Sequence, residues 1–200
     1  MDSKVFRRSL QWSVIGLCLL FAGLYAYQSF VLKNQLPDLG KAENFTMTSS
    51  AGSQVEMNSL NGKVRLVYFF FANCPDVCPP TTKKLADVQG ELKKRGYGAE
   101  DVQFLSVTVD PKNDNAEKLN AFAAKNGAQL DNWSFLFTDF ETTKKVANKY
   151  KVGVVLDADN RVYHNNQVAL IDQEGNIRQY YKEQAIQVKQ IIEDAEKLLP

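Results

Sequence analysis

The sequence predicts an α/β domain, a central mixed sheet flanked by helices, behind one apolar N-terminal segment. Two observations lead to this prediction. Segments with strand and helix patterns alternate along most of the 200-residue chain, which implies a parallel sheet covered by helices. Near the C-terminus two strand patterns are joined by a tight turn, which adds an antiparallel pair. The length suits one domain with a full core and a short appendage.

The apolar segment comes first. Residues 9–32 contain no charged side chain, and as a helix rising about 1.5 Å per residue they could cross a bilayer core of about 30 Å. Lys4, Arg7 and Arg8 precede them, so the positive-inside rule keeps the N-terminus in the cytoplasm and exports the rest. The predicted regions are a cytoplasmic N-terminus at 1–8, a single-pass anchor in the cell membrane at 9–32, a tether at 33–44, and an extracytoplasmic domain at 45–200.

Two other fates of this segment are compatible with export. A cleaved signal peptide is disfavoured because the apolar run outlasts a typical signal core and no small-x-small site follows it. Cys18 invites a lipoprotein interpretation, but Leu17 occupies the preceding position, where a small residue is expected. All three alternatives export the domain, so the choice hardly affects its function.

Strand and helix patterns then follow in order. A hairpin formed by Phe45–Met47 and Gln54–Met57 precedes Val64–Phe71, a nearly continuous apolar run that predicts a central strand buried on both faces. The next helix is predicted from near Pro80 to Arg95, because residues before proline avoid the helical region. The later predicted elements are strand Val102–Val109, helix Asn115–Lys125, strand Ser134–Thr138, helix Phe140–Tyr150, an irregular stretch Lys151–Asn166, strands Gln167–Ile171 and Ile177–Tyr181, and helix Gln184–Leu199.

The stretch Asn73-Cys74-Pro75-Asp76-Val77-Cys78-Pro79-Pro80 lies between the central strand and this helix. Backbone N–H groups and the dipole at a helix start favour thiolates over thiols. Both sulfurs sit on a stiff loop, close enough to bridge each other or to share one metal ion. A structural disulfide closing so short a loop would add little stability.

Composition narrows the chemistry of this pair. A net charge of +1 gives no electrostatic reason to expect nucleic acid, and three cysteines exclude a disulfide-dense scaffold. An ordinary zinc site needs four ligands, whereas the domain offers two thiols and the imidazole of His164. Two thiolates and one imidazole form a soft, low-coordination set that suits copper, as Cu(I) or as a thiolate-rich Cu(II) site.

The order strand, CxxxC, helix resembles the thioredoxin fold with an inserted loop. In such a sheet the loop carrying His164 comes up beside the helix start that bears the cysteines. Thioredoxin-type exchangers have a proline at the start of the strand after this loop, and none of the six prolines here is available for that position. The cysteine spacing is also CxxxC rather than CxxC. Both points count against a conventional thiol–disulfide reductase.

The motifs together resemble the Sco/SenC/PrrC family of membrane-tethered, thioredoxin-fold copper proteins. The matching text is Gly62-Lys63, Val67-Tyr68-Phe69-Phe70, Cys74-Pro75-Asp76-Val77-Cys78-Pro79, Ser106-Val107-Thr108-Val109-Asp110-Pro111, Val162-Tyr163-His164 and Leu170-Ile171-Asp172-Gln173-Glu174-Gly175. The likeness covers about residues 45–195. It implies copper bound by Cys74, Cys78 and His164, for maturation of the binuclear copper centre of cytochrome c oxidase. Asn165-Asn166 and Tyr163 depart from the residues common around this histidine in relatives.

The leading hypothesis is a membrane-anchored copper chaperone, not an enzyme, whose partner is the copper-centre subunit of the oxidase. Copper loading and a Cys74–Cys78 disulfide exclude each other, so outside the membrane a thioredoxin-like reductant is expected. Two alternatives stay open: an extracytoplasmic thiol–disulfide reductase acting on the oxidase subunit's cysteines, and a redox or copper sensor. A reductase needs an exposed attacking thiolate but no histidine, whereas a chaperone needs all three ligands.

Overall fold

The structure is a computed structural model that describes residues 12, 15–28, 35–159, 161–182 and 185–200. The chain divides into two compact units, Met1–Leu36 and Pro37–Pro200. In the first unit residues 15–28 are helical and exposed. Within the described ranges, no helix has both the length and the apolar character needed to cross a membrane. Both ends of the anchor predicted at 9–32 lie outside the described residues.

The second unit holds the sheet and its helices. The described strands are β1 (Thr46–Ser49), β2 (Gln54–Glu56), β3 (Val64–Phe70), β4 (Val102–Thr108), β5 (Trp133–Phe137), β6 (Val154–Leu156), β7 (Val162–His164), β8 (Gln167–Ile171) and β9 (Ile177–Lys182). The described α-helices are α1 (Cys78–Lys94), α2 (Ala116–Lys125), α3 (Phe140–Lys149) and α4 (Val188–Glu196), and a short 3₁₀ helix spans Met57–Leu60.

Seven strands form one mixed sheet in the order β2-β1-β5-β4-β3-β8-β9. The three inner strands β5, β4 and β3 run parallel, and the pairs β2–β1, β1–β5, β3–β8 and β8–β9 are antiparallel. Every residue of β3 is buried, as expected for a strand with neighbours on both edges. The predicted mixed α/β architecture and the central position of this strand are confirmed.

Local sequence signals account for the starts of two helices. The side chain of Asn115 accepts a hydrogen bond from the backbone N–H of Lys118 at the start of α2, and Asp139 accepts one from Thr142 at the start of α3. Each cap satisfies one of the N–H groups that a helix start leaves without an internal partner. Both starts fall within one residue of the predicted positions.

The start of α1 corrects the prediction. The helix begins at Cys78 rather than near Pro80, so Cys78 is its first residue and Pro79 and Pro80 follow in the first turn. The preference of pre-proline residues for extended backbone is overridden here. The first-turn N–H groups have no acceptor inside the helix, so two prolines cost no hydrogen bond there. The consequence is that the second sulfur belongs to the helix itself and is held by it.

The stretch Lys151–Asn166, predicted to be irregular, contains the antiparallel hairpin β6–β7, which forms a separate two-stranded sheet. The turn between the strands is built on Asp157, whose Oδ1 accepts from the backbone N–H groups of Asp159 and Arg161 at 2.9 Å each. Three-residue strands are too short to show a period, which is why pattern analysis missed them. We call this hairpin the β6–β7 arm; His164 is the last residue of its second strand.

Candidate metal and thiol site

The two cysteines are brought together by the turn between β3 and α1. The backbone N–H of Cys74 donates to the carbonyl of Phe71 at 3.3 Å, which closes a tight turn directly after the strand. The backbone N–H of Cys78 points at the sulfur of Cys74, 3.5 Å away. Both thiols are free; Cys74 is 7% exposed and Cys78 is completely buried. The predicted pairing of the sulfurs at a helix start is therefore present.

The two thiols differ sharply in acidity. A hydrogen bond from the thiol of Cys78, helped by backbone N–H groups of the loop, lowers the pKa of Cys74 to about 5 against the opposing effect of burial. The same hydrogen bond and burial raise the pKa of Cys78, and the Phe71 backbone and the Tyr68 hydroxyl oppose that rise only in part. The expectation of two activated thiolates holds for Cys74 alone. The pair is a thiolate that accepts a hydrogen bond from a buried thiol.

His164 lies on the β6–β7 arm, where it is paired with Val154. Its Nδ1 is 3.3 Å from the carbonyl oxygen of Asn165. A carbonyl can only accept, so Nδ1 carries the proton and Nε2 is left with a free lone pair. Nε2 is buried and has no hydrogen-bond partner within the described part of the chain. Burial lowers the pKa of His164 and keeps the ring neutral.

Phe71 contacts both the imidazole of His164 and the backbone of the cysteine loop. Its ring contacts the ring of His164 edge-on, with centroids 5.7 Å apart and planes at 72°, while its carbonyl accepts the Cys74 N–H. Across the described ranges, no three His, Cys, Asp or Glu side chains are close enough to hold a metal ion together. The structure thus pairs the two thiols and places His164 against Phe71, the residue that directly follows β3 and precedes their loop.

Asn165, one of the departures from the family pattern, fixes the base of the β6–β7 arm. Its Oδ1 accepts from the backbone N–H of Gly153 at 2.7 Å, and its Nδ2 donates to the carbonyl of Lys151 at 3.0 Å. These bonds tie the residue after the histidine to the far side of the arm. The amide at this position therefore orients His164 through the backbone, a role that single-sequence analysis did not assign.

Two depressions flank the cysteine loop. One, of about 280 Å³, includes Cys74, Pro79, Lys118 and Phe122 in its lining. The other, of about 480 Å³, lies between the loop and the arm and includes Phe71, Pro75, Asp110, Val162 and Tyr163 in its lining. The sulfur-bearing residue Cys74 opens onto the first, and the imidazole-bearing arm borders the second.

The donor set fits a soft metal ion. A thiolate, a thiol that can lose its proton to a metal, and a neutral imidazole with a free buried lone pair are the ligand types that bind copper well. The carboxylates of Asp157 and Asp159 are occupied instead with Arg161, at 2.8 and 2.9 Å. These two residues are turn residues, as their place in the loop suggests.

Comparison with known proteins identifies the family and agrees with the fold. The sequence profile of the SCO1/SenC family matches residues 34–200. The SCO1 protein homolog of Bacillus subtilis is 33% identical over 144 residues, which are 70% of this chain and 73% of that protein.

Two solved structures are also similar. BsSco, described as a member of the Sco family of cytochrome c oxidase assembly proteins with a disulfide switch, superposes with a TM-score of 0.72 at 31% identity, covering 82% of this chain and 96% of that one. Yeast Sco1 with copper bound gives a TM-score of 0.64 at 28% identity, covering 82% and 92%. The resemblance seen in the sequence motifs and the thioredoxin-like fold are both confirmed: the chain belongs to the SCO1/SenC family.

Proposed function

We propose that this protein is a copper chaperone that prepares the binuclear copper centre of cytochrome c oxidase, with copper held as cargo by Cys74, Cys78 and His164. Two relatives support this assignment, one through its bound copper and one through its role in oxidase assembly. Yeast Sco1 has been solved with copper bound, and BsSco is placed among cytochrome c oxidase assembly proteins. The role is binding and transfer, without turnover of a substrate.

The observation that carries the proposal is the free Nε2 of His164. A buried polar atom without a partner costs free energy, so native structures rarely retain one that has no role. Here the imidazole is neutral and its tautomer is fixed by the Asn165 carbonyl. Its ring contacts Phe71, whose carbonyl accepts the Cys74 N–H. A metal ion bound by the thiolates would give this nitrogen its missing partner.

Copper binding by these residues then requires three changes or conditions in the chain. Cys74 is already ionised at neutral pH, whereas Cys78 has to release its proton as the metal binds. The β6–β7 arm has to move so that His164 passes the edge of Phe71 and reaches the sulfurs. Oxidation to a Cys74–Cys78 disulfide removes both sulfur donors, so a reduced pair is a precondition for loading.

The remaining parts of the proposal concern location and partners. Residues 9–32 anchor the chain once in the cell membrane, and the copper-binding domain lies on the extracytoplasmic side, where the oxidase subunit accepts its copper. Disulfides persist in that compartment, so a thioredoxin-like protein keeps Cys74 and Cys78 reduced. Membrane fractionation and the mass of the mature chain test the anchor: the uncleaved protein should stay with the membrane at full length, and a shortened mass would refute it.

Copper titration of the reduced full-length chain in detergent tests the ligand set. The wild type should bind one copper tightly, and each of Cys74→Ser, Cys78→Ser and His164→Ala should lose that tight binding. Cys18→Ser is the matched control, because it removes the third thiol from the exposed N-terminal helix and should leave binding intact. A His164→Ala variant that binds copper as the wild type does would overturn the assignment.

One observation favours a second candidate, a thiol–disulfide reductase. The low pKa of Cys74 beside a buried partner thiol is the asymmetry that disulfide exchange uses. This activity would not need the imidazole. If the protein reduces a model protein disulfide equally well with and without His164, and binds copper weakly, the reductase assignment replaces the chaperone.

A further inference from the structure

Asp114 is a buried carboxylate outside the three expected ligands. It lies in the loop between β4 and α2 and is only 2% exposed. Its Oδ2 accepts from the backbone N–H of Ala72, at 2.9 Å, and from the hydroxyl of Thr108. Its Oδ1 is buried and has no hydrogen-bond partner among the described residues. Burial raises the pKa of this carboxyl, which shows that its surroundings disfavour the charge. Burying a carboxylate with one oxygen unpaired costs folding free energy, so we expect Asp114 to have a role in its immediate surroundings.

Ala72 is the residue that makes Asp114 relevant to the site. It stands directly after Phe71 and two positions before Cys74. The Phe71 carbonyl accepts the Cys74 N–H, the Phe71 ring contacts His164, and the Phe71 backbone acts to lower the pKa of Cys78. Fixing the peptide between Phe71 and Ala72 therefore fixes the residue that contacts both the cysteine loop and the imidazole.

The carboxylate extends the strand pairing past the end of the sheet. At the last parallel pair, Phe70 is in register with Thr108, and the N–H of Val109 donates to the Phe70 carbonyl at 2.7 Å. The chain then turns away at Asp110-Pro111, so the pairing of β3 with β4 ends here. The side chain of Asp114 supplies the acceptor that the departing strand no longer offers to Ala72. The Asp-Pro motif that ends β4 thus leads directly to the cysteine loop.

We propose that Asp114 is a positioning residue of the thiol and copper site, which holds the Phe71–Ala72 peptide so that Cys74, Cys78 and His164 keep their mutual placement. It acts through its hydrogen bond to Ala72 and does not touch the metal. The part that concerns copper rests on the proposed function; the part that concerns the two sulfurs does not.

A two-step thiol reaction measures the sulfur placement without metal. In the reduced full-length chain carrying Cys18→Ser, the Cys74 thiolate attacks an aromatic disulfide, forms a mixed disulfide and releases one aryl thiolate. The Cys78 sulfur then attacks the Cys74 sulfur, loses its proton to water, and releases the second aryl thiolate as the Cys74–Cys78 disulfide forms. The rate of the second release reports how well the two sulfurs are aligned.

Asp114→Ala should slow that second step about tenfold, since misplacement by about 1 Å can reduce such rates by up to about 100-fold. Asp114→Asn keeps an acceptor oxygen for Ala72 and should stay within about twofold of the parent rate. The matched control is Asp194→Ala, which removes another buried carboxylate; Asp194 lies on α4 and accepts from Tyr181 of β9 and from Lys197 at the end of α4. It should leave the second step unchanged while costing comparable stability.

The copper arm of the same experiment compares the thiolate-to-copper charge-transfer band of the Cu(II)-loaded proteins. The band should shift in Asp114→Ala and be restored in Asp114→Asn. If Asp114→Ala does not fold, Thr108→Val replaces it, because it removes one of the two donors that hold the carboxylate and should slow the second step about threefold. A rate in the folded variant equal to that of Asp194→Ala overturns the proposal. Failure of the wild type to bind copper overturns the proposed function and leaves the metal-free result decisive for Asp114.

Discussion

Acidity of the two thiols gives the sharpest quantitative prediction. Lowering the pKa of Cys74 from its ordinary 9.0 to about 5 leaves about half of the sulfur ionised at pH 5. A thiol of ordinary pKa is ionised to only about 1 part in 10⁴ at that pH, so the thiolate populations differ by about 5,000-fold. The nucleophilicity of a thiolate falls with its pKa, with a Brønsted coefficient of about 0.4–0.5. The Cys74 thiolate is therefore about 40- to 100-fold less reactive than a thiolate of ordinary pKa.

Alkylation of Cys74 by iodoacetamide should therefore be about 50- to 100-fold faster at pH 5 than alkylation of the same cysteine in the urea-unfolded chain. The advantage should shrink to near parity at about pH 7 and reverse by about pH 8, because the unfolded thiol becomes ionised while the native one is already fully ionised. The native rate should reach its plateau about one pH unit above 5. Cys78 should stay unmodified throughout, since it is buried and keeps its proton.

Peptide mass spectrometry after timed quenching gives the rate at each cysteine separately. The unfolded chain serves as the internal standard, because the same residue is compared in the presence and absence of the Cys78 hydrogen bond. Cys78→Ala provides a second comparison: without the thiol that donates to Cys74, the plateau should move to higher pH. A Cys74 rate that climbs tenfold per pH unit up to pH 8, or modification of Cys78 first, would refute the account of the pair.

Three further predictions concern stability, each read from urea unfolding. Burial lowers the pKa of His164, so below about pH 6.5 the unfolded state binds a proton that the native state does not. The free energy of unfolding of the metal-free protein should therefore fall as the pH drops, and it should fall less steeply with pH in His164→Gln. An equally steep fall in the variant would contradict this. Arg65→Met removes a fully buried cation that donates to Asn61 and to backbone carbonyls and should cost about 2–4 kcal/mol. Trp133→Phe deletes the indole N–H that donates to Ser106 at 2.9 Å and should cost about 1–2 kcal/mol; values near zero would argue against either buried bond.

Much of this fold could be predicted from the sequence because local and global signals agree. The run that forms β3 is apolar enough to demand burial on both faces, and the caps at Asn115 and Asp139 mark helix starts that the structure retains. The pair Cys74 and Cys78 was found because its spacing and prolines stand out in a chain with three cysteines. In these places the residue types alone restrict the structure.

The remaining features depend on contacts between distant segments. The β6–β7 arm consists of strands too short for a period, and it is fixed by Asn165 bonding across to Gly153. Phe71 looked like the last residue of a buried strand, whereas its ring and backbone connect the thiol loop to the arm. Asp114 received no role from the sequence, and only the fold shows that it is buried and accepts from Ala72. No single-sequence signal reports such pairings.

X-ray absorption of the copper-loaded, reduced protein tests the central claim most directly, because it reports the ligand atoms themselves. The account predicts two sulfur neighbours and one nitrogen neighbour of imidazole type in the wild type, with the nitrogen lost in His164→Ala and one sulfur lost in either cysteine variant. The chain has one histidine, so any imidazole signal that remains in His164→Ala must come from another molecule. A wild-type spectrum with sulfur neighbours alone would contradict the account.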